Sequence, residues 1–585
     1  MMPKNSSEFP FSQLVETFEA LDATTSGNEM IEILSGFFQR VDEDVIDIAS
    51  YFIQGNLAAE DADLNLFIGD KLIAEAIARA ADRTKSDIET LYHERGDYGL
   101  VAQDVLEGRM EISDPLTIEA VHARFLEVAE ASGEGSQDAK INLIAEILGR
   151  AKPQEAKYII KIGLGVLRLG AGTMTILNSL AVAFTEEKKN KKHLERAYNL
   201  CGDVGRVAKV LAEGGLEALD EIQVEVGHPI KVMAAQRVKK LGDLFEKMPE
   251  GLAAEFKYDG ERLQCHKKGT EVEIFSRNME RITGQYPDVV QKLVKQIRAD
   301  EAIVEGEAVA LVQGTTDQFR EFQILMRRKR KHDIEKFIEE VPVKLFLFDV
   351  LYVDGESVME KSYPERRQIL ESIVDASPTF EPAHALFSEN PEEIESFFLE
   401  SIEKGFEGIM AKSCAPTSRY RAGAREWSWI KWKRDYESDL VDTFDVVVVG
   451  GIAGRGKRSG TWGALLCAVY NPDQDRFETL CKVSTGFKDE ELEKLPEMFK
   501  KNELEHISPR VLSKMEPTRW FDPRVVLEIS GAELTKSPIH TCAINEDDEN
   551  STGIALRFPR FLRFRDDKDA DQATTSAEIK SLFEK

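Results

Sequence analysis

Lys257 and Arg262 stand five positions apart in the run Lys257-Tyr258-Asp259-Gly260-Glu261-Arg262, directly after an apolar stretch. A lysine attacks the α-phosphate of a nucleotide only as the neutral amine. This chemistry therefore requires the Lys257 pKa to be depressed by neighbouring cations, a bound metal or exclusion of water. Arg262 adds a permanently charged fork suited to a carboxylate, ribose or phosphate oxygen. Gly260 is expected to turn the chain sharply enough for both side chains to face one pocket. Taken alone, the six residues read more readily as a surface turn with scattered charges.

Further signals follow in chain order. Ser276-Arg277-Asn278 comes after a strand-like run and aims Arg277 at the same pocket. Val304-Glu305-Gly306-Glu307-Ala308-Val309 sets acid inside an apolar strand, where burial demands a sugar hydroxyl, a metal or an arginine as partner. Phe346-Leu347-Phe348-Asp349-Val350 offers an aromatic face to a purine, against the plainer reading of a core phenylalanine. Glu407, heading Glu407-Gly408-Ile409-Met410-Ala411-Lys412, is a second acid entering an apolar strand. In Trp429-Ile430-Lys431-Trp432-Lys433 the alternation is expected to put Lys431 and Lys433 on one face and the aromatics with Ile430 on the other. A departing pyrophosphate requires several fixed cations. Two acids on separate strands suit Mg²⁺, which keeps waters plus one or two carboxylates.

The elements that must hold these residues change along the chain. Residues 1–225 read as helix, with apolar residues at three- and four-residue spacing, as in Leu14, Phe18, Leu21 and Ile31, Leu34, Phe37, Phe38. Phe37 and Phe38 lie on an amphipathic face and read as core rather than as a docking pair. Residues 226–438 alternate short strands with helices, and Val353-Asp354-Gly355-Glu356 supplies turn chemistry after one strand. Residues 439–585 are mostly strand, from Val446 to Val449, Ala464 to Tyr470 and Val525 to Ile529, with glycine-rich turns that suit a small β-barrel. The expected architecture is multidomain α+β.

The chain has 585 residues, 42% of them hydrophobic and 31% charged, a globular composition. The apolar stretch from Tyr158 to Phe184 is broken by Lys161 and Arg168 and reads as a buried helix pair, not a membrane span. The N-terminus lacks an apolar core of signal-peptide length, so a cytoplasmic protein is expected, nucleoid-associated if the source is prokaryotic. Six scattered cysteines, with no Cys-x-x-Cys, read as isolated core thiols rather than a zinc knuckle or a disulfide framework. A net charge of −29 argues against coating nucleic acid by bulk attraction. Against that background two basic runs stand out, Met326-Arg327-Arg328-Lys329-Arg330-Lys331 and Gly454-Arg455-Gly456-Lys457-Arg458-Ser459-Gly460.

In this order and spacing the motifs closely resemble those of ATP-dependent DNA ligases of the archaeal and eukaryotic type, within the covalent nucleotidyltransferases. Arg560-Phe561-Leu562-Arg563-Phe564-Arg565-Asp566-Asp567-Lys568 matches the family's barrel motif, and Lys157–Lys161 with Leu167–Gly170 resembles its DNA-binding domain. The resemblance covers virtually the whole chain. It implies a helical DNA-binding domain, a nucleotidyltransferase domain of ATP-grasp-like antiparallel sheets and a C-terminal OB-fold barrel. It also implies residue roles. Lys257 would become adenylyl-lysine, and Glu255 would accept from the adenine amino group. Arg262 and Arg277 would hold ribose and phosphate oxygens, and Phe348 would stack on the adenine. Glu307 would bind ribose or a metal, and Glu407 the metal, Mg²⁺ or Mn²⁺. Arg425, Lys431 and Lys433 would clamp the phosphates of ATP, with Arg565 and Lys568 covering them in the first step only. Arg168, Arg327, Arg328, Lys329, Arg455, Lys457 and Arg458 would contact the duplex backbone.

The rival readings are weaker. A capping guanylyltransferase or an RNA ligase would not need a helical domain of over two hundred residues. An NAD-dependent ligase would carry a four-cysteine cluster. An inactive DNA clamp would not require the lysine, both arginines and both acids. The resemblance implies a monomer acting on nicked double-stranded DNA in replication, repair and recombination, away from membranes, and leaves a sliding clamp open as a partner.

Overall fold

A computed structural model of the chain describes residues 9–62, 64, 66, 68–108, 115–185, 187–238, 240–320, 322–329, 338–433, 443–454, 460–531, 533–545 and 551–584. It divides into two compact units, residues 1–85 with 102–437 and residues 86–101 with 438–585.

Between Phe11 and Asp220 the regular elements are helices. Leu14, Phe18 and Leu21 are buried along one face of the helix Phe11–Asp22, and Leu34, Phe37 and Phe38 along one face of Gly27–Phe38. The stretch from Tyr158 to Phe184 forms two helices, Pro153–Gly163 and Thr173–Thr185, and the loop between them carries the exposed Arg168. Among the described residues no helix is long and apolar enough to cross a membrane.

The sheet-rich part of the first unit contains β1 (Ala234–Arg237), β2 (Leu252–Lys257), β3 (Glu261–Lys268), β4 (Glu271–Ser276), β5 (Glu301–Ala310), β6 (Val343–Val353), β7 (Glu356–Ser357), β8 (Phe380–Pro382), β9 (Ala385–Ser388), β10 (Gly408–Ser413) and β11 (Arg425–Lys433). One sheet has the order β1-β11-β10-β2-β9 and the other β4-β3-β5-β6-β7, with β8 beside β6. Pairing is antiparallel apart from β1 on β11 and β8 on β6. The β6–β7 hairpin turns on Asp354 and Gly355 at φ 44° and 92°, the two positive values that a two-residue hairpin favours. Phe256, Ile409, Ile430 and Trp432 form the core behind the first sheet. The helices Pro287–Gln296 and Tyr363–Ile373 cover the second.

The second unit is built on β12 (Phe444–Ala453), β13 (Trp462–Asn471), β14 (Arg476–Val483), β15 (Glu503–Leu504), β16 (Val511–Leu512), β17 (Arg519–Phe521), β18 (Val526–Ser530), β19 (Glu533–Ser537), β20 (Gly553–Arg557) and β21 (Arg560–Phe564). Eight of these strands pair in one curled half-barrel sheet, with β19 and β20 apart from it. Register breaks in β12 beside β13 bend the sheet, as bulges do. Val446, Val448, Leu465, Cys467 and Val469 alternate inward. The six cysteines are free and five are buried, but they are not all isolated, since Cys467 faces Cys481 across β13 and β14.

Candidate active site

Strand register assembles the site. Lys257 on β2 lies opposite Gly408 on β10, which lies opposite Lys433 on β11. The next row is Glu255, Met410 and Lys431, and the next is Ala253, Lys412 and Trp429. Side chains two apart share a face, so Glu255, Lys257, Met410, Lys412, Trp429, Lys431 and Lys433 project on one side while Phe256, Ile409, Ile430 and Trp432 fill the core. Trp429 therefore shares the lysines' face, contrary to the expectation that all the aromatics would oppose them. It lines one cleft with Glu255, Lys257, Arg262, Glu307, Phe348 and Lys412.

Two glycines set how close these strands approach. A Cβ at Gly260 would penetrate the Ala308 carbonyl of β5. Gly260 lies in the bend between β2 and β3, where the chain turns as expected without a positive φ, and the close approach to β5 is the further constraint on it. Gly408 has φ 137°, and a Cβ there would strike the Trp432 carbonyl.

Lys257 is ion-paired with Glu407, and the other Glu407 oxygen holds Lys433 at 2.7 Å. Burial alone would push the Lys257 ammonium down. Glu407, Glu307 and Asp259 outweigh it and hold the group above the usual lysine value. The expected depression is thus reversed in this arrangement. It is Lys431 that is lowered, by burial and then by Lys433, Lys257, Arg425 and Arg277. Glu307, opposite Arg262 in the β3–β5 ladder, is pushed up to about 7 by burial, with Lys257 and Arg262 opposing.

The floor of the cleft is a buried polar network. Glu255 is 2% exposed and accepts from the Tyr363 hydroxyl, from Arg367 at 3.3 Å and from Lys412 at 2.9 Å. The helix that supplies Tyr363 and Arg367 starts at a capping box, in which the Ser362 amide donates to Glu365 at 2.8 Å. Arg366, fully buried, grips both Asp349 oxygens at 2.8 and 3.0 Å and so anchors β6 next to Phe348. Lys412 also donates to the Phe348 carbonyl at 2.7 Å, and burial lowers its pKa against the pull of Glu255 and Asp349. Arg262 donates to Glu305 at 2.7 Å and to the Met233 carbonyl at 2.9 Å, with its guanidinium 5.2 Å from the Phe348 ring centre. Its buried Nε has no hydrogen-bond partner.

Sequence reasoning missed Glu305, Tyr363, Arg366, Arg367, Lys412 and Trp429. Glu305 and Lys412 were legible as charges at even spacing from Glu307 and Met410 on the same strand faces. The helix residues carried no such signal.

Other expected residues lie outside the lining of this cleft, although Arg277 and Arg425 are near enough to act on Lys431. Arg277 is exposed and lines a second cleft with Lys231 and Tyr198. Arg425 and Arg327 are exposed. Arg328 is corrected from a DNA contact to a structural residue. Its side chain is 1% exposed, grips Asp288 at 2.8 and 3.0 Å and donates to the Val341 carbonyl. The Lys329 side chain and Arg455, Lys457 and Arg458 fall outside the described residues. In the second unit Arg565 and Lys568 share Asp445, at 3.0 and 2.6 Å.

Comparison with known proteins gives the family. Residues 10–181 match the family described as DNA ligase N terminus, residues 232–433 the ATP dependent DNA ligase domain, and residues 458–568 the ATP dependent DNA ligase C terminal region. A DNA ligase of Staphylothermus marinus is 46% identical over 98% of this chain and 99% of its own. DNA ligase 1 of Methanosarcina acetivorans is 42% identical over 98% of this chain and 99% of its own. The solved structure described as Pmar-Lig_Pre is similar in fold, with a TM-score of 0.52, 16% identity and coverage of 94% of this chain and 99% of that one. With three successive family matches and relatives of this identity along nearly its whole length, the chain belongs to the ATP-dependent DNA ligases.

Proposed function

We propose that Lys257 is the residue through which this ligase is adenylylated. The observation that carries the reading is the shared pairing of Glu407 with Lys257 and Lys433 at the edge of the cleft formed by Phe348 and Glu255. Phe348 stacks on the adenine, and Glu255, held by Lys412, Arg367 and Tyr363, accepts from its amino group. Arg262 and Arg277 hold ribose and phosphate oxygens. Separation of Glu407 from Lys257 removes the charge that keeps the ammonium protonated. Burial, Lys433 and Lys431 then favour the neutral amine. Its Nζ bonds to the α-phosphorus as the bond to pyrophosphate breaks, and Arg425, Lys431 and Lys433 stabilise the leaving charge.

Glu307 and Glu407 are the residues that would hold Mg²⁺ or Mn²⁺. Among the described residues no group of three or more potential ligands exists. Glu307 and Glu407 are both carboxylates, the donor type that a hard cation takes beside waters and phosphate oxygens. When bound, such a cation withdraws charge from the phosphate oxygens.

Two further transfers complete sealing. The 5′-phosphate of the nick takes the adenylate from Lys257. The 3′-hydroxyl then attacks that phosphate and releases AMP. Three modules, residues 1–225, 226–438 and 439–585, would close around the duplex, with Arg168 and Arg327 on its backbone together with Lys329, Arg455, Lys457 and Arg458. We read the enzyme as a cytoplasmic monomer serving replication, repair and recombination, with a sliding clamp as a partner to test. Incubation with α-labelled ATP and denaturing electrophoresis tests the reading. Label retained with ATP, and not with GTP or NAD, supports it, and label on Lys257→Ala refutes the assignment.

A further inference from the structure

Arg565 and Lys568 are held by a counter-charge of their own unit, and the sheet register explains how. Asp445 on β12 lies opposite Glu528 on β18, which lies opposite Arg563 on β21. One row across three strands therefore carries two acids and an arginine. Arg565, just past the end of β21, donates its amide to the Val526 carbonyl at 2.9 Å. Its Nη1 reaches both oxygens of Asp445 at 3.0 and 3.2 Å, while Nε and Nη2 take the two oxygens of Asp567 at 2.9 Å each. Lys568 Nζ reaches the same Asp445 carboxylate at 2.6 Å. Every nitrogen of the Arg565 fork is thus engaged by a carboxylate. The Asp445 contact is the sheltered one, with Arg565 14% and Asp445 13% exposed against 63% for Asp567.

A carboxylate that offers two oxygens to a guanidinium and an ammonium presents the same charge and fork geometry as two non-bridging phosphate oxygens. We infer that Asp445 is a built-in counter-anion. It occupies Arg565 and Lys568 whenever they are not on the nucleotide, and is exchanged for the pyrophosphate end of ATP during adenylylation. The inference rests on the reading that these two cations serve that step. Asp567 stays on the fork through Nε and Nη2 and keeps Arg565 oriented, so the contacts to be traded are those of Nη1, the close pair with Asp445 and a longer one to Glu528 at 3.8 Å. The trade sets part of the ATP requirement of the first step and none of the later ones.

The test is single-turnover self-adenylylation of the full chain with Asp445→Asn, which keeps the shape and removes the charge. The ATP concentration for half-maximal rate should fall about three- to tenfold, the scale of one charge-assisted contact no longer competed for. Sealing of a pre-adenylylated nick should stay within about twofold. Asp445→Glu keeps the competing charge and should stay near the wild-type ATP requirement. A raised ATP requirement in Asp445→Asn, or an unchanged one, overturns the inference. Equal loss of both activities with a lowered melting temperature, and no rescue by Asp445→Glu, overturns it in favour of a structural role. The underlying reading is tested apart from it by Arg565→Ala with Lys568→Ala. If that double variant adenylylates normally, the cations do not serve the step. If it fails to adenylylate but Asp445→Asn shows no gain, only the counter-anion inference is lost.

Discussion

Lys257 and Glu407 form an ion pair across neighbouring strands, and the Glu407 amide also donates to the Lys257 carbonyl at 3.1 Å. The backbone bond keeps the two residues side by side, while the ion pair rests on side-chain rotamers that can part without moving β2. The pair holds the lysine protonated, above its usual range.

Self-adenylylation should therefore accelerate with pH. Below the lysine pKa the neutral fraction grows about tenfold per pH unit. Single-turnover rates between pH 6.5 and 9 check this, and a flat profile would mean that the amine is already neutral when it attacks. Lys257→Arg preserves a cation for Glu407 but cannot attack, so it should fold normally and take no label.

Phe348→Ala should weaken ATP binding by about 1–3 kcal/mol, the scale of one lost base stack. The ring sits edge-on to Trp429 at 6.1 Å and belongs to the core behind the cleft, so some loss of stability is expected as well. Sealing of a pre-adenylylated nick separates the two effects. It should be spared if stacking on ATP dominates, and an equal fall in both assays would assign the ring to the core.

Arg327 and Arg328, adjacent in sequence, should part company in experiment. Arg328→Ala strands Asp288 and should cost about 2–4 kcal/mol of folding stability with no change in the salt dependence of DNA binding. Arg327→Ala should leave stability alone and lower the slope of log affinity against log salt by about one. Denaturant titration and binding isotherms at several salt concentrations give both numbers.

Glu307 should trade stability for activity. Its carboxyl rises from the ordinary 4.5 to about 7, so the folded state binds more protons than the unfolded across that interval. The stability it contributes is complete below the lower value and is lost as pH climbs through the upper one. Glu307→Gln should then exceed wild type by about 1–2 kcal/mol at pH 8, discounted because the side chain is partly open to the cleft, while losing adenylylation. Measurement between pH 6.5 and 8.5 avoids His266, which burial drives down to about 3 and whose effect has the opposite sign on the acid side. A variant no more stable at pH 8 would show that the carboxylate bears no strain.

The order of elements was legible because helical and alternating periods persist over long stretches, and Lys257, Glu407 and Lys433 stood out through motifs that resemble the family's, but that β10 would lie between β2 and β11 was not legible. Nor was the Lys257 ion pair. Whether a lysine beside two acids is raised or lowered depends on which atoms touch, and a linear motif carries no such distance. The basic run at Arg327 failed at Arg328 for a related reason. A short helical turn sends consecutive side chains in different directions, and charge alone does not say which one meets an acid. Glu255 was found from its place two residues before Lys257, yet its three partners come from β10 and a helix over a hundred residues away.

Gly260 and Gly408 leave no room for even a methyl group, and neither carries any reactive atom. A saturation scan of this pocket should find them among its least forgiving positions, ahead of several charged residues that handle the nucleotide. Engineering that swaps the Phe348 or Glu255 side chain to admit an altered base must also re-partner Lys412, Arg367 and Tyr363. Engineering that alters the two glycines would instead move whole strands, and the nucleophile with them.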